Sequence, residues 1–335
     1  MLLQGGSQLT ITANTNSSVF NVGRDGSRGT ATVEGAGTRI EVDDFVQVGR
    51  DGGFGTLNVT NGGEVDNFAV GGASETRIGL DGGTGTLNIE TGGTLTTRTL
   101  AIAQGAGSDG TVNVDGNGSS LRQNSDGVSN PFTLIGQNGV GRLNVTNGGD
   151  VIVDDQNRFG GFIVGDEAGS SGAVTVDGAG SSVVAARVTN IGESGTGTLS
   201  VTNGATFQTT RIFGAQSLGG DGQIDIDGTG SQLNLLGAHG DGSGPLALIG
   251  RDGLATMNVT GGGVVNMDPN GEAVTGLAGG LLVGGASSAT GAGDGTVNID
   301  GAGSAINIAN VNASIQVGRN GTGALNITDG GKLTN

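Results

Sequence analysis

Few side chains in this sequence can do chemistry, and most of them recur at fixed places. The one histidine, His239, stands in the run Gly237-Ala238-His239-Gly240-Asp241-Gly242-Ser243. A Ser-His-Asp nucleophile built around it would sit on a glycine-rich excursion, with no rigid element to orient the imidazole. Two acidic pairs, Asp43-Asp44 and Asp154-Asp155, are the carboxylates that acid/base cleavage of a polysaccharide would use. Such a groove is usually completed by aromatic sugar platforms and cations. The chain has no Tyr, no Trp and no lysine before Lys332. The expectation is therefore a protein without catalytic residues, not an enzyme.

Asp115, Asp177, Asp227 and Asp300 each precede a glycine, with Glu34 in the equivalent place. Their oxygens suit calcium, but six to eight must converge on one ion, and these residues recur only about every second repeat. Asp before Gly is also an ordinary turn former. These four are the calcium candidates; the expected role is turn formation, with no cofactor. The Arg-Asp-Gly runs at 24–26, 50–52 and 251–253 invite a comparison with receptor-recognised tripeptides, yet their regular place at the end of a short apolar run makes them turns. A last array pairs Asn58, Asn88, Asn113, Asn144, Asn258, Asn298 and Asn326 with Thr56, Thr86, Thr111, Thr198, Thr256 and Thr296. A flat Thr-x-Asn lattice orders water on ice-binding faces, but Arg142, Gln223 and Asp225 interrupt it. Amide laddering between stacked strands is the simpler expectation.

A repeat positions all of these residues. Gly55-Thr56-Leu57-Asn58-Val59-Thr60-Asn61-Gly62-Gly63-Glu64-Val65 returns at 85–95, 141–151, 197–207, 255–265 and 323–333. A sister form, Val174-Thr175-Val176-Asp177-Gly178-Ala179-Gly180-Ser181-Ser182-Val183, recurs at 31–40, 112–121, 224–233 and 297–306. Their first apolar residues fall at 31, 57, 87, 112, 143, 174, 199, 224, 257, 297 and 325, and from 87 onward the forms alternate strictly. A short apolar run ending in glycine precedes each copy, such as Val46-Gln47-Val48-Gly49, and another follows, such as Val151-Ile152-Val153.

Three runs of alternating polarity per copy, separated by glycine turns, read as three short β-strands. No copy can bury a face by itself, whereas stacked copies join their inward Val, Leu and Ile into one core. The fold class that follows is all-β: a parallel β-helix of three strands per coil and about eleven coils, spanning residues 1–335 as one elongated unit. At about 4.8 Å per rung, eleven coils make a rod some 50–60 Å long.

Composition agrees. Of 335 residues, 74 are glycine, enough to exclude helical bundles, and the three prolines without a Gly-x-x period exclude collagen. The net charge of −17 excludes a phosphate-tracking nucleic-acid protein and disfavours anionic lipid. No apolar run is long enough for direct membrane insertion, and with no cysteines the fold holds without disulfides. Copies are lengthened at 71–80, 122–131, 153–160, 215–222, 236–246, 266–280 and 284–295. Many of these fall between the third run of one coil and the first of the next, and an edge where they emerge together is the expected contact surface.

The two alternating motifs resemble the passenger repeats of bacterial autotransporter and filamentous-haemagglutinin-like adhesins, over nearly the whole chain. The resemblance implies a right-handed helix, secreted and displayed at a bacterial cell surface, that serves adhesion, aggregation or fibre formation. Implied partners are a host or cell-surface receptor or glycan and neighbouring copies of the rod. The sequence opens and closes inside a coil, which leads to the expectation of a segment of a longer array able to stack end to end. The readings kept as alternatives are a carbohydrate-active β-helix of the tailspike or lyase kind and an ice- or calcium-binding solenoid.

Overall fold

The computed structural model describes the chain apart from residues 14–16, 128, 155–160, 186, 277–278, 286–292 and 310–311. Among the described residues every regular element is a β-strand, from β1 (Leu2–Gln4) to β35 (Lys332–Thr334). Every third strand joins the same sheet. The first sheet starts with β1, β4 (Arg28–Glu34) and β7 (Phe54–Thr60) and has 12 strands. A second, starting with β2 (Gln8–Ile11), has 12, and a third, starting with β3 (Val19–Arg24), has 11. All neighbours pair in parallel, as β4 with β7, β2 with β5 (Arg39–Val42) and β3 with β6 (Phe45–Arg50). The chain is a right-handed parallel β-helix, the hand that crossovers between parallel strands favour.

The repeat markers form a single column. Ala31 pairs with Leu57, Leu57 with Leu87, Leu87 with Val112 and Val112 with Leu143. The column continues through Val174, Leu199, Ile224, Met257 and Val297 to Leu325. The β1 strand adds a rung before the first marker, with Leu3 opposite Val33. From Leu57 to Val297 the column is essentially inaccessible, as are Val65, Leu95, Leu121 and Val151 in the second sheet and Ile78, Ile102 and Ile135 in the third. Burying such a residue contributes about 1.5–3 kcal/mol, so each coil depends on the coils above and below to close its face.

Glycine has a second use besides turning. Gly55 and Gly85 face inward at the start of first-sheet strands, with no unusual φ, and a Cβ on either would lie about 2 Å from a carbonyl of the preceding coil, 2.1 Å from Val22 O and 2.2 Å from Val48 O. The chain comes too close here for any side chain. Ala255 takes the same register position, between Gly222 and Gly295. Its methyl fits because Gly214 stands where the third sheet otherwise carries Ile191 and Ile249, and a Cβ on Gly214 would fall 2.7 Å from that of Ala255.

The three corners differ. The first, between the first and second sheets, uses short turns such as 61–63 and 178–181 throughout. The second, between the second and third sheets, varies from the single residue Thr210 to the long segments 237–245 and 269–279. The third returns to the first sheet. Buried amides serve the second corner where strands diverge. Asn67 donates to Val42 O (2.9 Å) and Asp44 O (3.2 Å), and Gln123 to Arg98 O (3.0 Å) and Phe132 O (2.8 Å).

Candidate binding cleft on the loop-bearing edge

Segments 71–80, 122–131, 236–246 and 266–280 all map to the second corner, although residues 75–80 of the first are strand β9 (Glu75–Leu80), so the lengthening there is 68–74. Segment 215–222 instead lies at the third corner, as does 284–295, most of which falls outside the described residues. Most of 153–160, including Asp155, also falls outside them.

These second-corner segments are tied down. Arg98 donates to Asp126 Oδ2 at 3.1 Å with side chains only 10 % and 2 % exposed, and also to the carbonyls of Gly72 and Ala73, so it clamps 68–74 to 125–131. Removing either charge from such a buried pair costs about 3–5 kcal/mol. Further along, Arg187 reaches past the Thr210 junction. Its Nη1 donates to Ala238 O (3.0 Å) and its Nη2 approaches Glu272 Oε1 (3.5 Å), while Glu272 Oε2 accepts from Ala238 N–H (2.8 Å).

A cleft of about 250 Å³ follows from the unequal junctions. The short connection at Thr210 leaves space beside the longer 237–245 and 269–279. Ala185, Gln208 and Thr209 line it, Asp154 contributes a carboxylate from the earlier coils, and Asn270 and Glu272 come from the later ones. Carboxylate, amide, hydroxyl and guanidinium groups thus share one recess with the aliphatic side chains of Val153, Val184 and Leu236.

Of the described candidate residues singled out from sequence, Asp154 alone lines this cleft. Asp43 and Asp44 act as loop anchors: Asp44 accepts from Ser18 N–H (2.8 Å) and Ala73 N–H (3.2 Å), and Asp43 from Ala13 N–H (2.8 Å). His239 sits in the 237–245 loop, its Nδ1 3.2 Å from Asp241 Oδ1. Burial pushes the Asp241 carboxyl up, but hydrogen bonds from the Ser243 backbone and hydroxyl and the Arg211 guanidinium outweigh it and hold the group well below the usual carboxylate range. Asp241 therefore locks its loop as an anion, gripped by Arg211 at 2.9 and 3.1 Å.

The four calcium candidates lie at the first corner, each on every second or later rung and each engaged. Asp177 Oδ1 accepts from Thr202 Oγ1 and Asn203 Nδ2 of the next coil, both at 2.6 Å. Asp115 takes Thr146 and Asn147 in the same way, Asp227 takes Thr260 (2.6 Å), and Asp300 takes Thr328. Ser181 of the same turn binds the coil before: it accepts from Gly148 N–H (2.9 Å) and donates to Asp177 O (2.7 Å). The sister form thus bonds in both directions to the Asn-Gly-Gly form, a physical reason for their strict alternation.

The Arg-Asp-Gly runs are third-corner turns. Asp25 and Asp51 have φ of 53° and 50°, and Arg24 Nε and Arg50 Nε both lie 3.1 Å from Asp51 Oδ2. The Thr-x-Asn face is an amide ladder: Asn88 donates to Asn58, Asn113 to Asn88 and Asn144 to Asn113, each at 2.8 Å. It lapses at Thr175 and Ser200 and resumes where Asn258 donates to Asp225 (2.7 Å). A second ladder on the second sheet, Asn307 to Asn266 (3.1 Å) to Asn234 (2.9 Å), was not foreseen, because its members fall outside the repeated motif. Arg187, Glu272 and Arg98 were missed for a related reason: they lie in segments without repeats, where no column marks them.

The fold places the chain in the class of parallel β-solenoids. No protein-family model matches it, and no curated protein does. Among solved structures it aligns with a TibC-catalysed hyper-glycosylated TibA fragment, at 18 % identity over 98 % of each chain and with a TM-score of 0.25. At that score the two do not superimpose as one body, so the class rests on the strand register itself.

Proposed function

We propose that this chain is a non-catalytic structural and adhesive rod displayed outside the bacterial cell, which makes its contacts through the second corner. The observation that carries the reading is the gathering of clamped loops on one edge around a cleft, while the first corner stays short and uniform. Loops held on a rigid scaffold are where recognition resides. The resemblance of the alternating motifs to surface-passenger repeats supports the location, and the net charge of −17 points away from nucleic acid and anionic lipid as partners. A receptor or glycan on a neighbouring surface is the partner of this reading.

The test is adherence of beads coated with the purified chain to a panel of cells. Replacing 237–245 by a single-residue junction of the Thr210 kind should abolish it, and Asn113→Ala on the ladder face should leave it intact. Equal adherence of both variants would overturn the reading. Asp154 and Glu272 in one cleft favour the carbohydrate-active reading as a second choice. Turnover of a polysaccharide that disappears in Asp154→Asn would put it first.

A further inference from the structure

Toward the end of the rod the outward face of the third sheet differs from that of the first. On the first sheet these positions are polar, as Thr256, Asn258 and Thr260 on β28 (Leu254–Thr260) and Thr296, Asn298 and Asp300 on β31 (Asp294–Asp300). In the same coils the third sheet turns leucines outward. Its strands β24 (Arg211–Gly214), β27 (Leu246–Ile249), β30 (Gly280–Val283) and β33 (Ser314–Val317) pair in register. Ile212, Ala247, Ile249, Leu281 and Val283 point into the core and are essentially inaccessible, so alternation puts Leu246, Leu248 and Leu282 on the other face. The core is already closed without these three.

They line a recess of about 430 Å³ that crosses all four strands. Leu248 and Leu282 are only 7 % and 8 % exposed, so they form its floor. Depth comes from Gly280, which holds the register position between Leu246 and Ser314 without a side chain; a Cβ there would fall 2.1 Å from Ser314 O. Around the floor, Ser243, Asn312, Ser314 and Gln316 supply hydroxyls and amides, and Arg211, Asp241 and Arg319 supply charge. Arg211 is already bound to both carboxylate oxygens of Asp241. Arg319 differs: it is exposed, and among the described residues its guanidinium makes no ion pair or hydrogen bond. Two guanidiniums against one carboxylate leave the lining net positive in a chain whose net charge is −17.

We propose that this recess binds the C-terminal end of a partner polypeptide that finishes in an aliphatic residue. Each part of such a ligand meets its counterpart. The α-carboxylate pairs with the planar fork of Arg319, the aliphatic side chain lies on Leu248 and Leu282, and the preceding amides exchange hydrogen bonds with Asn312, Gln316 and the serines. A sugar is less well served, because pyranose rings stack on aromatic side chains and among the described residues none lines this recess. A fatty acid has no amides for the surrounding hydroxyls and amides to meet. The volume falls in the range of small-ligand sites, about 300–1,000 Å³. No residue is shared with the cleft at Asp154 and Glu272.

The test is calorimetric titration of the intact chain with N-acetyl-Gly-Gly-Leu, whose one charge is its C-terminal carboxylate. Binding at about 0.1–1 mM is expected, within reach of a ligand of about 20 heavy atoms. The C-terminal amide of the same peptide should bind about tenfold more weakly, and so should N-acetyl-triglycine, which lacks the aliphatic side chain. Arg319→Gln changes an exposed, unpaired side chain, so it should melt with the parent and bind acid and amide alike. Arg142→Gln, on the first sheet, should bind as the parent does. No heat of binding, equal binding of acid and amide by the parent, or discrimination kept in Arg319→Gln would each overturn the proposal. Tighter binding of octanoate or glucuronate would overturn it too, by making the recess a site for acyl chains or acidic sugars. The proposal does not rest on the adhesive reading, since peptide binding is read without cells and Arg319→Gln leaves 237–245 intact.

Discussion

The first and third corners turn the same chain in the same coils, yet they solve different problems. At the first corner, Asp177 sits among donors: a threonine and an asparagine from the next coil meet its carboxylate, and Ser181 closes the turn to the coil before. At the third, Asp166 stacks against Glu193, and nearby amide oxygens have nothing to accept. Single glycines answer two different demands. At the first corner Gly116 has φ of 89° and open space around its missing Cβ, the nearest atom lying 3.9 Å away; at the third, Gly110 has ordinary φ and an Ile78 carbonyl 2.2 Å from where a Cβ would be. Direction and volume are separate demands, and each corner makes both: Gly93 of the first has ordinary φ with Val59 O 2.1 Å from where a Cβ would be, and Gly49 of the third has φ of 70°. Composition counts the two alike.

That contrast can be broken experimentally. The largest effect is expected from Gly110→Ala, which forces a methyl into backbone and should cost about 3 kcal/mol, the upper end for overpacking. Gly116→Ala, strained only in φ, should cost about 1–2 kcal/mol, and paired urea melts of the two variants give the order. Equal losses would mean that the close approach at the third corner relaxes freely. Next is Asp177→Ala, which strands a threonine and an asparagine and should cost about 1–2 kcal/mol. The same melts on Asp166→Asn should show no loss, because its partners repel it. Asn113→Ala, which cuts the ladder between two amides, should cost about 0.5–1 kcal/mol, and thermal melts should place it below Asp177→Ala.

The smallest expected effect concerns the second corner and depends on pH. Asp241 has its carboxyl depressed in the folded chain below the ordinary 3.8. Its stabilisation is therefore present above that value and is lost as pH falls through it toward the depressed folded value. Asp241→Asn should melt below the parent at pH 7 and converge with it in strong acid. A gap that persists at low pH would assign the loss to packing instead of charge.

Period-two alternation and the recurrence of two motifs were enough to specify strands, stacking and register, because a strand's face is set by the spacing of its own apolar residues. The marker column from Ala31 to Leu325 and the amide ladder through Asn58 to Asn144 were legible for that reason. The purpose of the glycines was only half legible. Turns announce themselves as Asn-Gly-Gly, whereas the inward column at Gly55 and Gly85 is defined by the carbonyls of Val22 and Val48, far away in sequence.

What only the tertiary structure decided is which polar groups meet. Sequence placed Asp115, Asp177, Asp227 and Asp300 at turns but could not show that the following coil donates to one carboxylate oxygen of each, or that Arg187 spans 85 residues to reach Glu272. Nor could it show that Asp166 is buried beside the charges of Glu193 and Glu167. Hydrogen bonds and charges act over a few ångströms between coils, and the distance along the chain that separates those coils varies with every loop. The repeat by itself determined the rod; the lengths of its loops, folded, decided which side chains face one another on its edges.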